Sequence, residues 1–462
     1  MVGEKDVKSS DSRTKELKYK SRINSIKAGM FASAKSSFGD YYLSPFAIAI
    51  NASNSLVALL TSVSGILGPL SQMFGSRLIE KSARKKIVLR AVLVELLFWI
   101  PFVTIAVLYW TSIIQSALPI IFLFFFAFYV IFSNLGTPAW FSWTGDIVDE
   151  RYRGRWFSKR NLLTGFVSVV LALVSSFILD YFKKIDLIMG GFIVLFLLAL
   201  ISRVISWKFY HKQYEPKLEF QKGDYFSFSD FLIRARKTNF GRFSFFNAAL
   251  NFAASISSPL FVIYMLRDLN FSYLTYMLIT VAGIVFSLLV MEIWGRIADR
   301  YGNYAVLYIS GFLISIVPVL WIFSPSPVYL ILVPTLISGI SSAGFNLASN
   351  NFVYDNVRPD KRGLAISYFN MLTGIGIFLG ASFGAFLIKF LSISFISPIL
   401  AIFILSGGLM IITTIVFMPM IREVRDFKRR RGGIKNLIIR QFKPAFIGEV
   451  HEILSINKYL KR

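Results

Sequence analysis

A few ionisable side chains lie inside long apolar runs of this sequence, and they are its best candidates for chemistry. Asp40, Glu95 and Glu292 are carboxylates of this kind, and Lys35 is a cation. A charge within a bilayer costs several kcal/mol, so such residues are candidates for a functional site by default. Asp40 is the strongest, because it lies well inside the first apolar run on a stripe of polar residues. With no histidine near it, this carboxyl could carry a proton if burial favours its neutral form.

Lys35 precedes Asp40 by five residues, which corresponds to about 140° around a regular helix. We therefore expect the two side chains to lie on different faces. Lys35 would then bind an anionic group, pair with a carboxylate on another helix, or extend towards the membrane surface. Glu95 is expected to be structural and to lie away from any central cavity.

Long apolar blocks must position these residues. Hydrophobic residues form 55% of the chain, and backbone polar groups in hydrocarbon must be paired within their own segment, so the blocks predict membrane-spanning helices. The fold class expected is an all-α integral membrane protein with twelve transmembrane helices in two six-helix bundles. The predicted spans are 25–50, 54–78, 87–110, 117–147, 157–182, 186–208, 243–266, 273–298, 303–324, 327–354, 364–390 and 394–421.

The net charge of +25 is explained by orientation rather than by nucleic-acid binding. Of the 50 Lys and Arg residues, 44 fall on one side of the predicted spans. Cytoplasmic loops of membrane proteins carry such an excess. We therefore expect a multi-pass protein of the cell membrane with both termini in the cytoplasm and no nucleic-acid partner.

The chain contains an internal repeat. Residues 146–165 (DIVDERYRGRWFSKRNLLTG) and 355–374 (DNVRPDKRGLAISYFNMLTG) agree at nine of twenty positions. A repeat of this kind predicts two related halves. Because each half has an even number of spans, the halves share one orientation and are related by a pseudo-two-fold axis along the membrane normal.

Five regions follow from this division. A charged tail expected to be disordered is followed by a six-helix half, a hydrophilic linker with a short amphipathic helix at the membrane surface (228–237), a second half and a basic tail. The tail either docks on anionic lipid head groups or serves as a topology signal. The boundaries are 1–22, 23–210, 211–240, 241–421 and 422–462.

Two loops carry a resemblance to a known family. Residues 295–302 read GRIADRYG, and residues 76–85 read SRLIEKSARK. They lie 219 positions apart, each between the second and third span of its half. The first of these resembles the cytoplasmic signature of the major facilitator superfamily, Gly-x-x-x-Asp-Arg/Lys-x-Gly followed by two basic residues. The second keeps the basic pair, Arg84 and Lys85, but not the glycines or the aspartate.

The resemblance implies a cytoplasmic gate built from these loops and from the acidic residue that ends the fourth helix of each half. Charged pairs there would break and re-form as the halves move. The other interpretation is that these residues only anchor loops. The candidate gate residues are Glu80, Lys81, Arg84, Asp146, Arg153, Glu292, Gly295, Asp299, Arg300, Asp355 and Arg362.

The resemblance also implies that helices 1, 4, 7 and 10 line a central cavity. Polar residues recur at helical spacing in spans 1, 7 and 10, and less clearly in span 4, as a water-facing stripe requires. Small polar residues that join helices are the alternative explanation. The candidate cavity residues, for substrate or proton, are Lys35, Asp40, Asn134, Trp140, Asn247, Asn251, Asn346 and Asn350.

Helix breakers suggest where the bundle bends and packs. Ser44-Pro45 and Ser258-Pro259 occupy matching places in spans 1 and 7 and predict bends near the outer side. Four glycines of span 11 (Gly374, Gly376, Gly380 and Gly384) predict close packing between the halves.

Secondary active transport of a small solute by alternating access is the function that these features favour, with proton coupling through Asp40 as a hypothesis. No Gly-x-x-x-x-Gly-Lys-Ser/Thr motif is present for ATP. An enzyme is not expected, because the chain has no cysteine and no histidine within a span. We expect no cofactor or metal, a monomer, and membrane lipids as partners at the basic face. A transporter-like sensor or a lipid scramblase remains the alternative.

Overall fold

The structure is a computed structural model that describes residues 2–149, 153–216, 228–357, 362–391 and 397–424. Helices make up the described chain, with turns between them. The first helix, α1, is broken: Val2–Phe38 is followed by a 3-10 turn at Asp40–Tyr42 and by Leu43–Ala49. The others are α2 (Asn54–Leu78), α3 (Arg84–Trp110), α4 (Leu118–Ile147), α5 (Arg153–Lys184), α6 (Ile188–His211), α7 (Asn239–Asp268), α8 (Tyr273–Tyr301), α9 (Asn303–Leu320), α10 (Pro327–Asn356), α11 (Arg362–Phe390) and α12 (Pro398–Phe417).

Eleven stretches within the described residues are long and apolar enough to cross a membrane. The remaining predicted span is α1, which carries Lys27, Lys35 and several serines on its membrane segment. It packs mainly against α5 and α6. Lys35, Ser25 and Ser37, which would be costly against lipid, are buried by protein, whereas Lys27 is exposed. The twelve-helix architecture is confirmed.

The two ends of the bundle differ in the segments they hold. One end, here the termini side, carries the start of α1, the turn between α2 and α3, and the end of α12. The opposite end, the far side, carries the tight turns at 50–53 and 111–117. Asn51 in the first of these has a φ of 58°, a left-handed conformation that asparagine tolerates well.

The bend predicted at Ser258-Pro259 is present, whereas the break in α1 lies several residues before the predicted Ser44-Pro45. In α7 the regular helix ends at Ser257 and resumes at Leu260, on either side of Pro259. In α1 the break falls at Gly39, before Pro45. Gly39 is required there for space, because a Cβ at this position would lie 2.0 Å from the indole ring of Trp99.

The glycines of α11 pack differently from the prediction. A Cβ added at Gly376, Gly380 or Gly384 would meet backbone carbonyls of α7, in the same half. Only Gly374 lies against the other half, where a Cβ would be 2.3 Å from the carbonyl oxygen of Gly65. The glycine face therefore serves mainly to pack α11 on α7, and the expectation of an interface between the halves was wrong for three of the four.

Two polar segments are more ordered than predicted. Residues 14–22, expected to belong to a disordered tail, continue α1, and the Ser21 hydroxyl accepts a hydrogen bond from the Tyr214 N–H at 2.7 Å. The linker helix (Phe228–Ala235) forms near the predicted place, but its buried side chain Phe231 packs on Phe240 and Tyr368 of the second half. Its apolar face thus covers protein rather than the membrane surface. Residues of the basic tail after 424 lie outside the described part of the chain.

Candidate functional site

A group of charged side chains lies buried inside the first half. Lys35 is at its centre, with its ammonium nitrogen 2.8 Å from Asp40 Oδ2 and 3.0 Å from Glu95 Oε1. Arg203 of α6 donates from its Nε to the Glu95 carboxylate at 3.0 Å. The Tyr129 hydroxyl of α4 accepts from Lys35 at 3.1 Å and donates to Asp40. These five residues, the charged cluster, hold two cations and two carboxylates, so the charges balance.

The break in α1 explains why Lys35 and Asp40 meet. The helix ends at Phe38, and Asp40 begins a 3-10 turn. The regular rotation of 100° per residue therefore stops before Asp40, and the prediction that the two side chains occupy different faces was wrong. Lys35 also pairs with a carboxylate on another helix, Glu95, which was one of the alternatives open to it.

Glu95 was expected to be structural and to lie away from a central cavity; it lines no wall of the cavity described below, but it belongs to the charged cluster. Its side chain is buried and joins Lys35 to Arg203. Sequence reasoning missed Arg203 because it was counted with the basic loops of the termini side. Its place inside predicted span 6 was the signal that could have separated it from those loops. Tyr129 carried no comparable signal, since tyrosine is common in apolar helices.

A cavity of about 250 Å³ opens beside the charged cluster. We call it the basic cavity, because three of its wall residues are the cations Lys35, Arg160 and Arg203. Its other walls carry hydroxyl groups, including those of Ser33 and Ser36. The two carboxylates of the cluster do not line it, so the surface that a ligand would meet is positively charged and rich in hydrogen-bond donors.

Arg160 is held over an aromatic ring. Its guanidinium carbon lies 4.5 Å from the centroid of the Trp140 ring. Gly29 of α1 makes room for it, because a Cβ there would lie 2.7 Å from Arg160 Nη2. Arg160 Nε and Trp140 Nε1 are both buried, and neither has a hydrogen-bond partner among the described residues. Trp140, a predicted cavity residue, therefore stands next to the basic cavity.

The other predicted cavity residues are not gathered at one place. Asn134 of α4 accepts from Gln72 of α2 at 3.1 Å. Asn247 of α7 donates to Thr373 of α11 at 2.7 Å, and Asn251 donates to the Asn247 carbonyl. These three asparagines thus take part in contacts within or between helices. Asn346 and Asn350 of α10 are exposed and remain candidates for a water-facing surface.

The loops before α3 and α9 make equivalent contacts in the two halves. Arg84, which is buried, binds Asp146 Oδ2 at 2.6 Å, and Asn303 at the matching position donates to Asp355 Oδ2 at 2.8 Å. The backbone N–H of the next residue is also bound in both halves. Glu215 accepts from Lys85 at 3.2 Å, and Glu423 accepts from Tyr304 at 2.8 Å.

These contacts define the geometry of the predicted gate residues. Each carboxylate that ends the fourth helix of a half is bound to the start of the third helix of the same half. Arg84 additionally donates to the Pro216 carbonyl at 3.0 Å, which ties the linker to the first half. The motif therefore joins helices within each half. Contacts of this kind are expected if these residues anchor loops.

The remaining gate candidates are placed separately. Glu80, Lys81 and Asp299 are exposed on the termini side, and Arg300 lies over the ring of Tyr301. Glu292 accepts from Arg296 one turn along α8. A Cβ at Gly295 would touch only Leu347, at 4.0 Å. Arg153 and Arg362 begin α5 and α11, and their side chains lie outside the described part of the structure.

The far side holds polar contacts between the halves that the sequence did not predict. The Asp180 carboxylate of α5 accepts from the backbone N–H groups of Tyr273 and Leu274, at 2.8 and 2.9 Å, and so caps α8 of the other half. Arg267 of α7 donates to the Ala52 carbonyl and to the Asn54 side chain. Arg267 was visible in the sequence as one of the few cations of this side.

Comparisons with known proteins agree with this architecture. A family model described as Major Facilitator Superfamily matches residues 29–250 and 243–457. No curated protein matches the chain. Solved structures of the same fold cover nearly all of it, although their sequences are only distantly similar.

Three of these structures show the extent of the similarity. A mutant of the nucleoside transporter NupG is 15% identical with a TM-score of 0.67, covering 88% of this chain and 100% of its own. A D-xylose-proton symporter is 12% identical with a TM-score of 0.66, covering 89% and 99%. A bacterial homologue of the iron transporter ferroportin, in its inward-facing state, is 14% identical with a TM-score of 0.65, covering 87% and 98%. At such identities the structures establish the fold alone.

The family match covers both halves of the chain, and it coincides with the internal repeat, the duplicated loops and the twelve-helix bundle. The chain belongs to the Major Facilitator Superfamily.

Proposed function

We propose that this protein is a secondary active transporter that moves a small solute across the cell membrane by alternating access, with both termini in the cytoplasm. The observation that carries this proposal is the charged cluster. Four charged side chains and a tyrosine are grouped inside the apolar bundle beside a cavity, and all of them except the partly exposed Asp40 are buried. Such a group is costly to keep in an apolar bundle, which favours a functional role over a purely structural one.

The contacts between the halves support alternating access. On the far side, Asp180 and Arg267 join the two halves through hydrogen bonds. If the termini side is cytoplasmic, this arrangement closes the outer side of the bundle. Opening the outer side then requires these bonds to break, while contacts within each half, such as Arg84 with Asp146, can persist. The halves would thus move as rigid bodies about a central site.

The absence of cysteine from the sequence allows this mechanism to be tested cleanly. Ser62 of α2 and Ser382 of α11 face each other across the halves, with their hydroxyl oxygens 3.2 Å apart. Ser257 and Ser406 are 2.8 Å apart within the second half. The double variant Ser62→Cys with Ser382→Cys places a potential disulfide between the halves, and Ser257→Cys with Ser406→Cys is its matched control within one half.

The substrate is first identified by a thermal-shift screen of metabolites on purified protein at pH 5 and pH 7.5. A ligand at 100 times its Kd should stabilise by about 2.7 kcal/mol. Uptake of each ligand is then measured in proteoliposomes. We expect oxidation to abolish uptake in the pair between halves, a reductant to restore it, and the control pair to transport in both conditions. Normal uptake by the cross-linked pair between halves would rule out alternating access.

Proton coupling through Asp40 is proposed as a further part of the cycle. In this conformation Asp40 accepts hydrogen bonds from Lys35, Ser36 and Tyr129, so three donors already occupy its carboxylate oxygens. Protonation therefore requires Lys35 to leave Asp40, either for Glu95 alone or for a substrate. Asp40→Asn should remove the pH dependence of uptake. Transport by this variant with an unchanged pH profile would exclude Asp40 as the coupling residue.

A lipid scramblase is the second candidate, because it could use the same bundle. It predicts that fluorescent phospholipid crosses proteoliposome membranes faster in the presence of the protein. The buried charges favour a polar solute instead, since a lipid path requires a lateral opening for acyl chains.

A further inference from the structure

Arg160 differs from the other two cations of the basic cavity in having no acidic partner among the described residues. Lys35 is bound to Asp40 and Glu95, and Arg203 is bound to Glu95. With Arg160 included, three cations face two carboxylates, so the region as described carries one positive charge more than its carboxylates neutralise. A half-buried guanidinium of this kind calls for an anion.

Two donors, on the cavity-lining Arg160 and on the Trp140 ring beside it, are also unpaired within the described chain. Arg160 Nε and Trp140 Nε1 are buried without a hydrogen-bond partner in the described chain. Buried donors in folded proteins are nearly always satisfied, and leaving one unpaired costs about 1–3 kcal/mol. An acceptor bound in the cavity would satisfy the guanidinium, and the planar Arg fork suits the two oxygens of a carboxylate or phosphate.

The second half has no counterpart of this arrangement. The internal repeat aligns Arg160 with Phe369, and Phe369 stacks on Phe243 with ring centroids 5.5 Å apart. A residue needed only to hold α5 against its neighbours could be apolar, as its equivalent is. The charge at position 160 is therefore specific to the first half, where the cavity is.

We infer that the basic cavity binds the carboxylate or phosphate group of the transported solute, with Arg160 as its principal ligand and Trp140 and Gly29 as the residues that position the guanidinium. This inference rests on the proposed transport function and specifies its substrate class. The cavity, at about 250 Å³, is smaller than the roughly 300–1,000 Å³ of sites for drug-sized ligands. It suits a small anion, or the anionic end of a longer molecule.

Binding is tested separately from transport. The full-length protein in detergent is titrated with acetate, succinate, citrate, inorganic phosphate and sulfate at constant ionic strength, with succinamide as a neutral analogue. A short-chain phosphatidylglycerol is a separate arm, which distinguishes a lipid head group from a free anion. Apparent Kd values come from the rise in melting temperature. The variants are Arg160→Gln, Arg160→Lys and Gly29→Ala, and the control is Arg236→Gln on the exposed linker.

We expect at least one anion to bind the wild-type protein, and its Kd to rise at least tenfold in Arg160→Gln. Arg160→Lys, which keeps the charge but not the fork, should be intermediate. Gly29→Ala keeps every charge but displaces the guanidinium, and it should also weaken binding, so the test survives if Arg160→Gln fails to fold. Arg236→Gln should bind as the wild type does.

Two results of the binding titrations would overturn the inference. One is that no anion of the panel raises the melting temperature of the wild-type protein. The other is equal binding by the wild-type protein and the Arg160 variants. Counterflow in proteoliposomes separates the anion-site inference from the broader transporter proposal. If the protein takes up a neutral solute and Arg160→Gln does not affect this uptake, the transporter proposal stands and the anion site is refuted. Failure to transport any ligand that binds at Arg160 would refute the transporter proposal alone.

Discussion

At the scale of single residues, the charged cluster is a chain of ion pairs in which Lys35 and Glu95 each contact two oppositely charged side chains. Glu95 forms ion pairs with both Lys35 and Arg203, and Asp40 accepts hydrogen bonds from Lys35 and Tyr129. Removing one member of a buried pair is more damaging than replacing the whole pair by apolar groups, because an unpaired charge remains in a medium of low dielectric constant. The cluster should therefore respond to mutation as a unit.

Glu95→Gln tests this interdependence. Arg203 and Lys35 are then left with the single carboxylate of Asp40, and we expect the free energy of unfolding to fall by about 3–5 kcal/mol. The measurement is denaturation in mixed micelles, followed by circular dichroism. Glu292→Gln is the matched control, since Glu292 forms only an exposed pair with Arg296 on the same helix, for which a change of about 0.5 kcal/mol or less is expected.

A second substitution sharpens the result. Adding Arg203→Met to Glu95→Gln removes the stranded cation and should recover part of the lost stability, because the two residues are in direct contact. If the two substitutions destabilise additively, the residues do not form an energetic unit.

At the scale of elements, close packing of α11 on α7 sets the geometry of the second half. The backbones approach at Gly376, Gly380 and Gly384, one residue per helical turn. Small residues allow such approach and gain dispersion contacts in place of the hydrophobic effect, which contributes little between helices in lipid. The same helix meets α2 of the first half at Gly374, so its position affects both contacts.

Gly380→Ala should be destabilising for this reason. The added methyl carbon would lie 2.0 Å from the Phe252 carbonyl oxygen, which is backbone and cannot turn aside, and an overpacked site typically costs about 1–3 kcal/mol. Gly408→Ala in α12 is the control, because nothing lies within 4 Å of the position that its new methyl carbon would occupy, and alanine is favoured over glycine in a helix by about 1 kcal/mol. Melting temperatures of the two variants should shift in opposite directions. A shift of the same sign and size would show that α11 is free to move away from α7.

At the scale of the whole molecule, the two halves are alike in fold but differ in their buried charged groups. The two halves share a fold and equivalent loop contacts, such as Arg84 with Asp146 and Asn303 with Asp355. The charged cluster and the basic cavity, however, lie wholly in the first half. The second half contributes the partner surface, including the α8 end that Asp180 caps. Among the described residues the buried charges thus lie in the first half, and under the proposed alternating access the relative position of the halves would determine which side is closed.

Asp180→Asn should weaken closure of the far side. A charged cap at a helix N-terminus is worth about 1 kcal/mol, so the ratio of closed to open molecules should fall about fivefold. Spin labels on the far-side ends of α1 and α7 report this ratio by pulsed electron–electron distance measurements. Asp186→Asn is the control: Asp186 is an exposed far-side aspartate with a φ of 57°, a conformation that asparagine also adopts. An unchanged distance distribution in Asp180→Asn would show that Asp180 does not hold the far side closed.

The sequence alone was sufficient to predict the helices, their number and the two-fold repeat. Apolar blocks long enough to span a bilayer, charge confined to one side, and nine shared positions in twenty are properties of the chain itself and need no knowledge of packing. Asp40 and Lys35 were also identifiable as candidates, because a charge in an apolar run is conspicuous whatever surrounds it.

Only the tertiary structure decided which residues meet. Arg203 and Glu95 are 108 positions apart, and Lys35 and Tyr129 are 94 apart, so their contacts depend on the rotation and depth of each helix in the bundle. The polar stripes visible in the sequence indicate which face of a helix avoids lipid, but they do not say which residue of another helix lies opposite, or at what depth. The break at Gly39 limited the prediction in a similar way. It changed the direction of the Asp40 side chain, which a prediction from regular helical periodicity could not foresee. The residue types along the chain therefore determined the architecture, and the packing of the helices determined the site.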